Sequence, residues 1–411
     1  MKTAVVVIGG GQAGLAMSRC LTGRSVDHVV LERGGVAQAW RGERWDSLRL
    51  LTPNWMSRLP GHRYDGDDPD GYMPAAEVAD FLESYGRSFG APVLPGTTVT
   101  AVRIGHAGSL VETDQGSWRC RAVVLATGAA GSARVPAVAA AIPAGIRQLT
   151  ALDYRGPAQV GTGGVLVVGA SAAGVQLADE LSRAGRSVTL AVGDHVRVPR
   201  TYRGRDIYRW MDAIGRLDER YDQVEDLARA RRLPSLQLVG TPEGRPLDLN
   251  ALAASGVRIV GRLVGVSRGR AQFSGSLANL VTGADLKLHR LLDLIDEHVA
   301  AYGLIGRVGA PDRPGPTRVP VAPTEVELAR FATVVWATGY RPRYPRLDGA
   351  LFDRHGRLRH DGGVAAAPGT YVLGLPFLRR RRSSLIAGAG PDARELCDHL
   401  VRHLSQRRAA A

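Results

Sequence analysis

Three glycines follow the first apolar run of the sequence with the spacing of a turn that binds dinucleotide phosphates. Residues 5–8, Val-Val-Val-Ile, are typical of a strand buried on both faces of a parallel sheet. Gly9 can form the tight turn, Gly11 lets the backbone approach a pyrophosphate, and Gly14 lets helix and strand pack closely. The helix that follows would offer its free N–H groups to the phosphates. The pattern therefore predicts a dinucleotide site.

An acidic residue stands where such a site needs one. Residues 28–31 form a second apolar run, and Glu32 follows it 18 residues after Gly14 (32 − 14). A carboxylate about 20 residues beyond the glycines accepts hydrogen bonds from a ribose diol. The alternative is an ordinary exposed charge at a strand end. Because the motif is otherwise complete, we predict that this first site binds FAD.

The same pattern recurs after residues 165–168, where Gly169, Ser171 and Gly174 occupy the three turn positions. The next apolar run, residues 188–192, does not end in an acid; Arg197 and Arg200 follow instead. An arginine near this strand end favours a coenzyme with a 2′-phosphate. The second site is therefore predicted to bind NADPH through Arg197 and Arg200. Asp194 is the alternative, since it could serve as a ribose acid for NADH.

A second repeated phrase links the two halves. Residues 123–128 and 334–339 are both apolar runs that end in Ala-Thr-Gly. A single copy would be an ordinary strand and turn, but each copy follows its own glycine motif. We therefore expect Thr127 and Gly128 at the FAD site and Thr338 and Gly339 at the NADPH site.

These repeats predict an α/β fold with two Rossmann-like, doubly wound, three-layer dinucleotide-binding domains, the second inserted in the first. Connectors rich in Gly and Pro separate them. The FAD-binding domain is expected at residues 1–155 and 324–411. The NADPH-binding domain is expected at residues 156–323, with an inserted segment at about 203–300.

Composition excludes several classes of protein. The 411 residues are 45% hydrophobic and 22% charged, which is ordinary for a globular protein. The net charge of +14 comes almost entirely from arginines spread along the chain without a nucleic-acid-binding motif, so no nucleic-acid partner is expected. No apolar run suits a membrane span. Three widely spaced cysteines predict a cytoplasmic protein without disulfides, and no His, Cys, Asp and Glu cluster predicts a metal site.

Four stretches carry a resemblance to the flavin-containing monooxygenase superfamily, in particular its bacterial FAD-dependent oxidoreductases and, more distantly, the plant YUCCA-type enzymes. They are W-R-G-E-R-W-D-S-L-R-L-L-T-P-N at 40–54, A-T-G-Y at 337–340, G-L-P-F at 374–377 and G-P-D-A at 390–393. The resemblance covers nearly the whole chain and weakens across about 203–300. It implies FAD contacts by Trp40, Arg41 and Asp392, with Trp45 and Arg49 as further residues lining the flavin. The alternative for the tryptophans is burial in the core.

The sequence also departs from that family. The linker motif of the family, F-x-G-x-x-x-H-x-x-x-Y/W, falls on residues 144–154, where Tyr154 is kept but Ala144, Ile146 and Thr150 replace the other positions. The asparagine that the family places near the flavin falls on Leu51. These changes leave oxygen transfer in question and lower the expectation of Baeyer–Villiger activity.

The resemblance implies an NADPH-dependent monooxygenase that passes hydride to flavin and transfers one oxygen atom of O2 to a small substrate, either a soft N or S centre or a small organic acid. An NADPH oxidase or electron-transfer flavin reductase is the alternative, and a non-catalytic redox sensor that holds FAD is a third. The sequence leaves a monomer and a homodimer open.

Overall fold

The computed structural model describes residues 1–105 and 108–409. Two parallel sheets organise them. The first has seven strands; the two pairings at one edge are antiparallel, and the other four, up to the opposite edge, are parallel. Across the sheet the order is His360–Asp361, Val364–Ala365, Thr370–Val372, Ala122–Leu125, Val5–Ile8, His28–Leu31 and Val93–Leu94.

The second sheet has five strands, and all of its pairings are parallel. Its order is Arg147–Thr150, Phe331–Trp336, Gly164–Val168, Val188–Ala191 and Arg258–Val260. Parallel strands need crossover connections, and in both sheets a helix follows the glycine turn: Gln12–Thr22 in the first and Ala172–Arg183 in the second. The predicted α/β fold with two Rossmann-like units is confirmed.

The expected domain boundaries differ from the sheet membership at three places. Arg147–Thr150 and Phe331–Trp336 both pair within the second sheet, although the boundaries at 155 and 323 assign them to the FAD-binding part. Arg258–Val260 is also a strand of this sheet and is therefore not part of an insertion. The boundaries differ because they lie at connectors rich in Gly and Pro, whereas membership of a sheet depends on which strands pair, even when these are distant in the sequence.

Smaller sheets flank the two large ones. Two are three-stranded: Val99–Gly105, Gly108–Thr113 and Gly116–Cys120, and Leu263–Ser267, Arg270–Phe273 and Glu325–Glu327. Four are two-stranded: Arg58–Leu59 with His62–Arg63, Ser132–Ala133 with Tyr340–Arg341, Val196–Arg197 with Leu236–Gln237, and Thr201–Tyr202 with Arg205–Asp206. The other α-helices are Gln38–Gly42, Ala75–Ser88, Ile207–Ala213, Leu227–Ala230, Leu249–Ala254, Leu277–Ala301 and Ile386–Ala409.

The long helix Leu277–Ala301 organises a separate apolar cluster. Its buried face presents Leu288, Leu292 and Ile295, which pack with Trp210 and, from the first unit, Met56. Burial of one such side chain contributes about 1.5–3 kcal/mol. The segment at 203–300 is therefore fixed against the loop that follows the W-R-G-E-R-W stretch.

Candidate functional site

The first glycine turn has the close contacts that its spacing predicts. Gly9 has a φ of +110°, and a Cβ there would lie 2.5 Å from the carbonyl oxygen of Ala126. A Cβ on Gly14 would lie 1.9 Å from the carbonyl oxygen of Gly9. At Gly11, by contrast, a Cβ would meet no described atom within 4 Å. The two outer glycines are therefore required by the protein, while the central one leaves open space for a ligand.

Glu32 closes this turn from the neighbouring strand. Its carboxylate accepts hydrogen bonds from the backbone N–H of Gly10 at 2.6 Å and of Gly34 at 3.0 Å. Each carboxylate oxygen keeps a further lone pair for a ribose hydroxyl. At the end of the adjacent strand, the Thr127 hydroxyl is buried and has no hydrogen-bond partner among the described atoms. An unmatched buried hydroxyl beside an open glycine turn fits a polar ligand such as FAD.

The second turn repeats this geometry. Gly169 has a φ of +107°, and its Cβ would lie 2.4 Å from the carbonyl oxygen of Ala337. A Cβ on Gly174 would lie 1.8 Å from the carbonyl oxygen of Gly169. Ser171 is the N-cap of the following helix, yet its side chain makes no capping hydrogen bond. Its hydroxyl therefore makes no hydrogen bond to the helix N-terminus.

Both Ala-Thr-Gly turns lie against the glycine turn of their own sheet, through Ala126 and Ala337. Gly128 and Gly339 have φ values of +79° and +93°, and a Cβ on either would meet nothing within 4 Å. The Thr338 hydroxyl donates to the carbonyl oxygen of Arg134. The structure thus brings each predicted pair of motifs together in a separate site.

Arg197, predicted to hold a 2′-phosphate, is instead a buried structural residue. Its Nη2 lies 2.7 Å from Asp248 and its Nη1 lies 2.7 Å from Asp285. Burial alone would raise the pKa of Asp285, but hydrogen bonds from Thr317 and Arg197 hold it below its ordinary value. The guanidinium is only 4% exposed. The prediction for Arg197 is wrong because two carboxylates already neutralise it.

Arg200 is also wrongly assigned. Its Nη2 lies 2.6 Å from Asp206, and its Nη1 donates to the carbonyl oxygen of Leu51 at 2.8 Å. Its guanidinium carbon lies 4.8 Å from the centre of the Tyr72 ring, a cation–π contact. Arg200 therefore links the segment around residue 200 to Leu51 and Tyr72 of the first unit. Its charge is already paired with Asp206 and is not available to a coenzyme.

A different arginine lies at the expected place. Asp194 and Arg262 follow the neighbouring parallel strands Val188–Ala191 and Arg258–Val260, so both stand at the carboxyl edge that carries the second glycine turn. Arg262 Nη2 lies 3.0 Å from Asp194 Oδ1, and both side chains are largely exposed. Asp194 is 20 residues beyond Gly174 (194 − 174). The sequence did not indicate Arg262 because the spacing of nearby residues does not predict which strand pairs with Arg258–Val260.

The four residues expected to line the flavin do not share one environment. The Arg41 guanidinium lies 2.7 Å from Asp80 and 3.1 Å from Glu83, on the helix Ala75–Ser88. Trp45 is 5% exposed and belongs to an apolar core. Arg49 donates to a backbone carbonyl at 2.8 Å. Trp45 is therefore a core residue, as the alternative expected, whereas Arg41 is held in an exposed ion pair and Trp40 is half-buried, so their FAD contacts stay predictions.

Arg44 is a further candidate that no sequence pattern singled out. Its guanidinium carbon lies 5.4 Å from the centre of the Trp40 ring. Burial lowers the pKa of Arg44, and the neighbouring Tyr340 and Glu43 oppose that change. Glu43 pairs with Arg33, and Arg44 makes no ion pair in the part of the chain that the structure describes. Within the W-R-G-E-R-W stretch, Arg44 is thus a half-buried cation without an ion-pair partner.

Asp392 is fully buried, and one of its carboxylate oxygens lies 2.9 Å from Arg380 Nη1. Burial raises the pKa of Asp392 despite that arginine. The other carboxylate oxygen is buried and has no hydrogen-bond partner among the described atoms. The FAD contact expected of Asp392 stays a prediction.

The linker holds the two units together through Tyr154. Its hydroxyl donates to Glu180 at 3.1 Å, and Glu180 also accepts from Ser47 at 2.9 Å. Burial raises the pKa values of both Tyr154 and Glu180. The Thr150 hydroxyl, at the position of the family histidine, donates to Asp153 at 2.6 Å. The Thr150 hydroxyl is thus occupied by a hydrogen bond within its own turn.

Among the residues that the structure describes, no group of three or more His, Cys, Asp or Glu side chains is arranged to hold a metal ion. No described helix combines the length and apolar character needed to cross a membrane.

Comparison with known proteins agrees with this geometry. Residues 6–211 match the family model of the pyridine nucleotide-disulphide oxidoreductases. An uncharacterised CzcO-like oxidoreductase of Geobacillus kaustophilus is 29% identical over 97% of this chain and 98% of its own length. The indole-3-pyruvate monooxygenase YUCCA1 of Oryza sativa is 25% identical over 85% of this chain and 80% of its own. A flavin-containing monooxygenase from Stenotrophomonas maltophilia superposes with a TM-score of 0.68 at 22% identity, covering 98% and 99% of the two chains.

Proposed function

The chain belongs to the pyridine nucleotide-disulphide oxidoreductase family, and we propose that it is an FAD-containing, NADPH-dependent monooxygenase acting on a small organic substrate. The resemblance to the flavin-containing monooxygenase superfamily is confirmed, and the chain is an oxidoreductase; its likeness to flavin-containing monooxygenases supports FAD and NADPH as its cofactors. The substrate class, the preference for NADPH and the individual contacts are our proposal.

One observation carries it: the same glycine turn is built twice, each copy at the carboxyl edge of its own parallel sheet. In both copies an outer glycine packs against the carbonyl of an Ala-Thr-Gly turn, and in the first copy a Cβ on the central Gly11 would meet nothing within 4 Å. Ligands of open α/β sheets bind at this edge. Two such sites in one chain suit a protein that moves a hydride from one dinucleotide to another.

At the first site, we assign the pyrophosphate of FAD to the open backbone at Gly11 and its ribose diol to Glu32. Thr127 supplies a buried hydroxyl at the same edge. FAD, when bound, accepts a hydride from the nicotinamide coenzyme and activates O2. The protein contributes binding, orientation and exclusion of water.

At the second site, we assign the coenzyme pyrophosphate to the Gly169–Gly174 turn with Ser171, and the adenosine 2′ position to Asp194 and Arg262. Arg262 can turn from Asp194 to a 2′-phosphate because both side chains are exposed. Guanidinium and phosphate form charge-assisted, bidentate hydrogen bonds. Asp194 could instead accept the free diol of NADH, so the pair predicts a preference for NADPH without exclusion of NADH.

Arg44 favours one of the two substrate classes. A half-buried guanidinium without an acidic partner is stabilised by a bound anion. It lies beside Trp40, whose ring offers an apolar surface for an organic group. We therefore favour a small organic acid over a soft N or S centre.

The alternative is an NADPH oxidase or flavin reductase. It is favoured by the Thr150 hydroxyl, which donates a hydrogen bond within its own turn. One experiment distinguishes this alternative from oxygen transfer. The experiment measures NADPH consumption, O2 uptake and H2O2 release with and without a panel of small organic acids. A monooxygenase incorporates label from isotopic O2 into a product, and release of H2O2 falls as the product accumulates. If every acid leaves the release of H2O2 equal to the consumption of NADPH, the monooxygenase proposal is wrong and the oxidase remains.

A further inference from the structure

A cavity of ≈ 590 Å³ lies apart from both glycine turns. It opens between the edge strands His360–Asp361 and Val364–Ala365 of the first sheet and the C-terminal helix Ile386–Ala409. Tyr221, from the region between the second-sheet strands, also contributes to its wall. Its volume is within the ~300–1,000 Å³ typical of small-molecule sites. None of the residues assigned to FAD or NADPH lines it.

Two acidic side chains line this cavity, and one of them is already neutralised. Glu395 lies 2.8 Å from Arg379 Nε and 3.4 Å from Arg220 Nη1, and it also pairs with Arg380. Burial alone would raise the pKa of Glu395, but the hydrogen bonds and charges of Arg380 and Arg379 lower it to about 2. Asp361 shares a hydrogen bond with Tyr221 but makes no ion pair with any described residue. The three lining arginines outnumber the two carboxylates, so the cavity keeps a net positive charge.

Two lining arginines have no such partner. Arg359 and Arg402 are exposed, and neither makes an ion pair with any residue that the structure describes. Arg359 stands on the edge-strand side of the cavity and Arg402 on the helix side. The cavity is therefore bordered by uncompensated positive charge from two elements.

Two histidines also line the cavity, and burial is the main cause that lowers the pKa of each. Burial and then the neighbouring Arg402 and Arg379 lower the pKa of His399. Burial and then Arg231 lower the pKa of His360 to about 4. His399 Nδ1 also lies 3.0 Å from the Tyr371 hydroxyl. Both imidazoles are neutral near pH 7, so each keeps one N–H that can donate without adding charge.

We propose that this cavity is a second ligand site, which binds a small organic molecule through a phosphate or carboxylate group held by Arg359 and Arg402. A phosphate or carboxylate matches the fork of a guanidinium and accepts from it in bidentate fashion. The neutral histidines and the Ala365 side of the cavity leave room for an uncharged remainder. Because no residue assigned to FAD or NADPH lines this cavity, we expect its ligand to regulate or stabilise the enzyme and not to be the substrate.

The test uses the FAD-loaded protein saturated with NADP+, so that the coenzyme site cannot bind the probes. Pyrophosphate and citrate, one a phosphate and one a carboxylate probe, are titrated by calorimetry at constant ionic strength. The variants are Arg359→Gln and Arg402→Gln. The matched control is Arg290→Gln, an exposed arginine on the long helix. Loss of one guanidinium should weaken binding about tenfold, which corresponds to ~1.4 kcal/mol.

NMR titration of the histidine ring protons gives a second readout that does not depend on activity. A bound anion should raise the pKa values of His360 and His399 in the wild type and in Arg290→Gln, and much less in the other two variants. No saturable binding of either probe would overturn the proposal. Equal weakening by all three substitutions would do so as well, because it would indicate attraction by net charge only.

Discussion

Replacement of Arg262 by alanine should change the coenzyme preference while leaving the chemistry intact. Arg262 is half exposed and its partner Asp194 more so, which makes their 3.0 Å pair a surface interaction. Such pairs contribute about 0.2–1 kcal/mol, whereas a hydrogen bond to a charged group contributes about 1.5–3 kcal/mol. Transfer of the guanidinium to a 2′-phosphate therefore gains roughly 1–2 kcal/mol, a factor of about 5–30.

The assay is steady-state kcat/KM for NADPH and NADH, with the flavin content of each preparation measured first. Arg262→Ala should lower the value for NADPH by about 5- to 30-fold and leave that for NADH nearly unchanged. Asp194→Asn is the matched variant: it should lower use of NADH and raise use of NADPH, because a negative charge near the phosphate is removed. If Arg262→Ala lowers both coenzymes equally, the 2′ position is elsewhere and our placement of the coenzyme is wrong.

The remaining predictions concern stability and FAD binding. Arg197→Ala leaves two buried carboxylates unpaired and should cost ~3–5 kcal/mol in denaturant unfolding, with an unchanged ratio of NADPH to NADH use. Gly14→Ala places a Cβ 1.9 Å from the Gly9 carbonyl and should abolish folding or flavin content, whereas Gly11→Ala meets no protein atom within 4 Å and should keep the apoprotein fold but bind FAD more weakly. His360 has a pKa of about 4 when folded, below its ordinary 6.5, so the unfolded chain takes up its proton first. Stability should therefore fall from pH 6.5 to 4, and His360→Gln should reduce that slope in thermal unfolding without added anions.

Features set by neighbouring residues could be predicted from the sequence. The spacing of Gly9, Gly14 and Glu32 determines a tight turn and its acid within one strand–helix–strand unit, so the local geometry follows from chain connectivity. The duplication of that unit also predicted the fold, since two such motifs leave few topologies open.

Features that depend on residues distant in the sequence could not be predicted from it. Arg197 pairs with acids 51 and 88 residues away, and these pairs turn an apparent phosphate ligand into a buried structural residue. Arg262 reaches the sheet edge that carries the second glycine turn because its strand pairs beside Val188–Ala191, which no local pattern indicates. Arg41 and Trp45 lie four residues apart in one stretch, yet Arg41 makes an exposed ion pair and Trp45 is buried in a core.

The central claim is that two dinucleotide sites in this chain exchange a hydride. Anaerobic stopped-flow mixing of the purified protein with NADPH tests it most directly, with the visible absorbance of bound flavin as the signal. We predict that the protein carries FAD and that NADPH bleaches its absorbance in a saturable phase, which slows for Arg262→Ala at low coenzyme concentration. The claim would be contradicted by a folded protein that takes up no FAD. It would also be contradicted if neither NADPH nor NADH reduced the bound flavin.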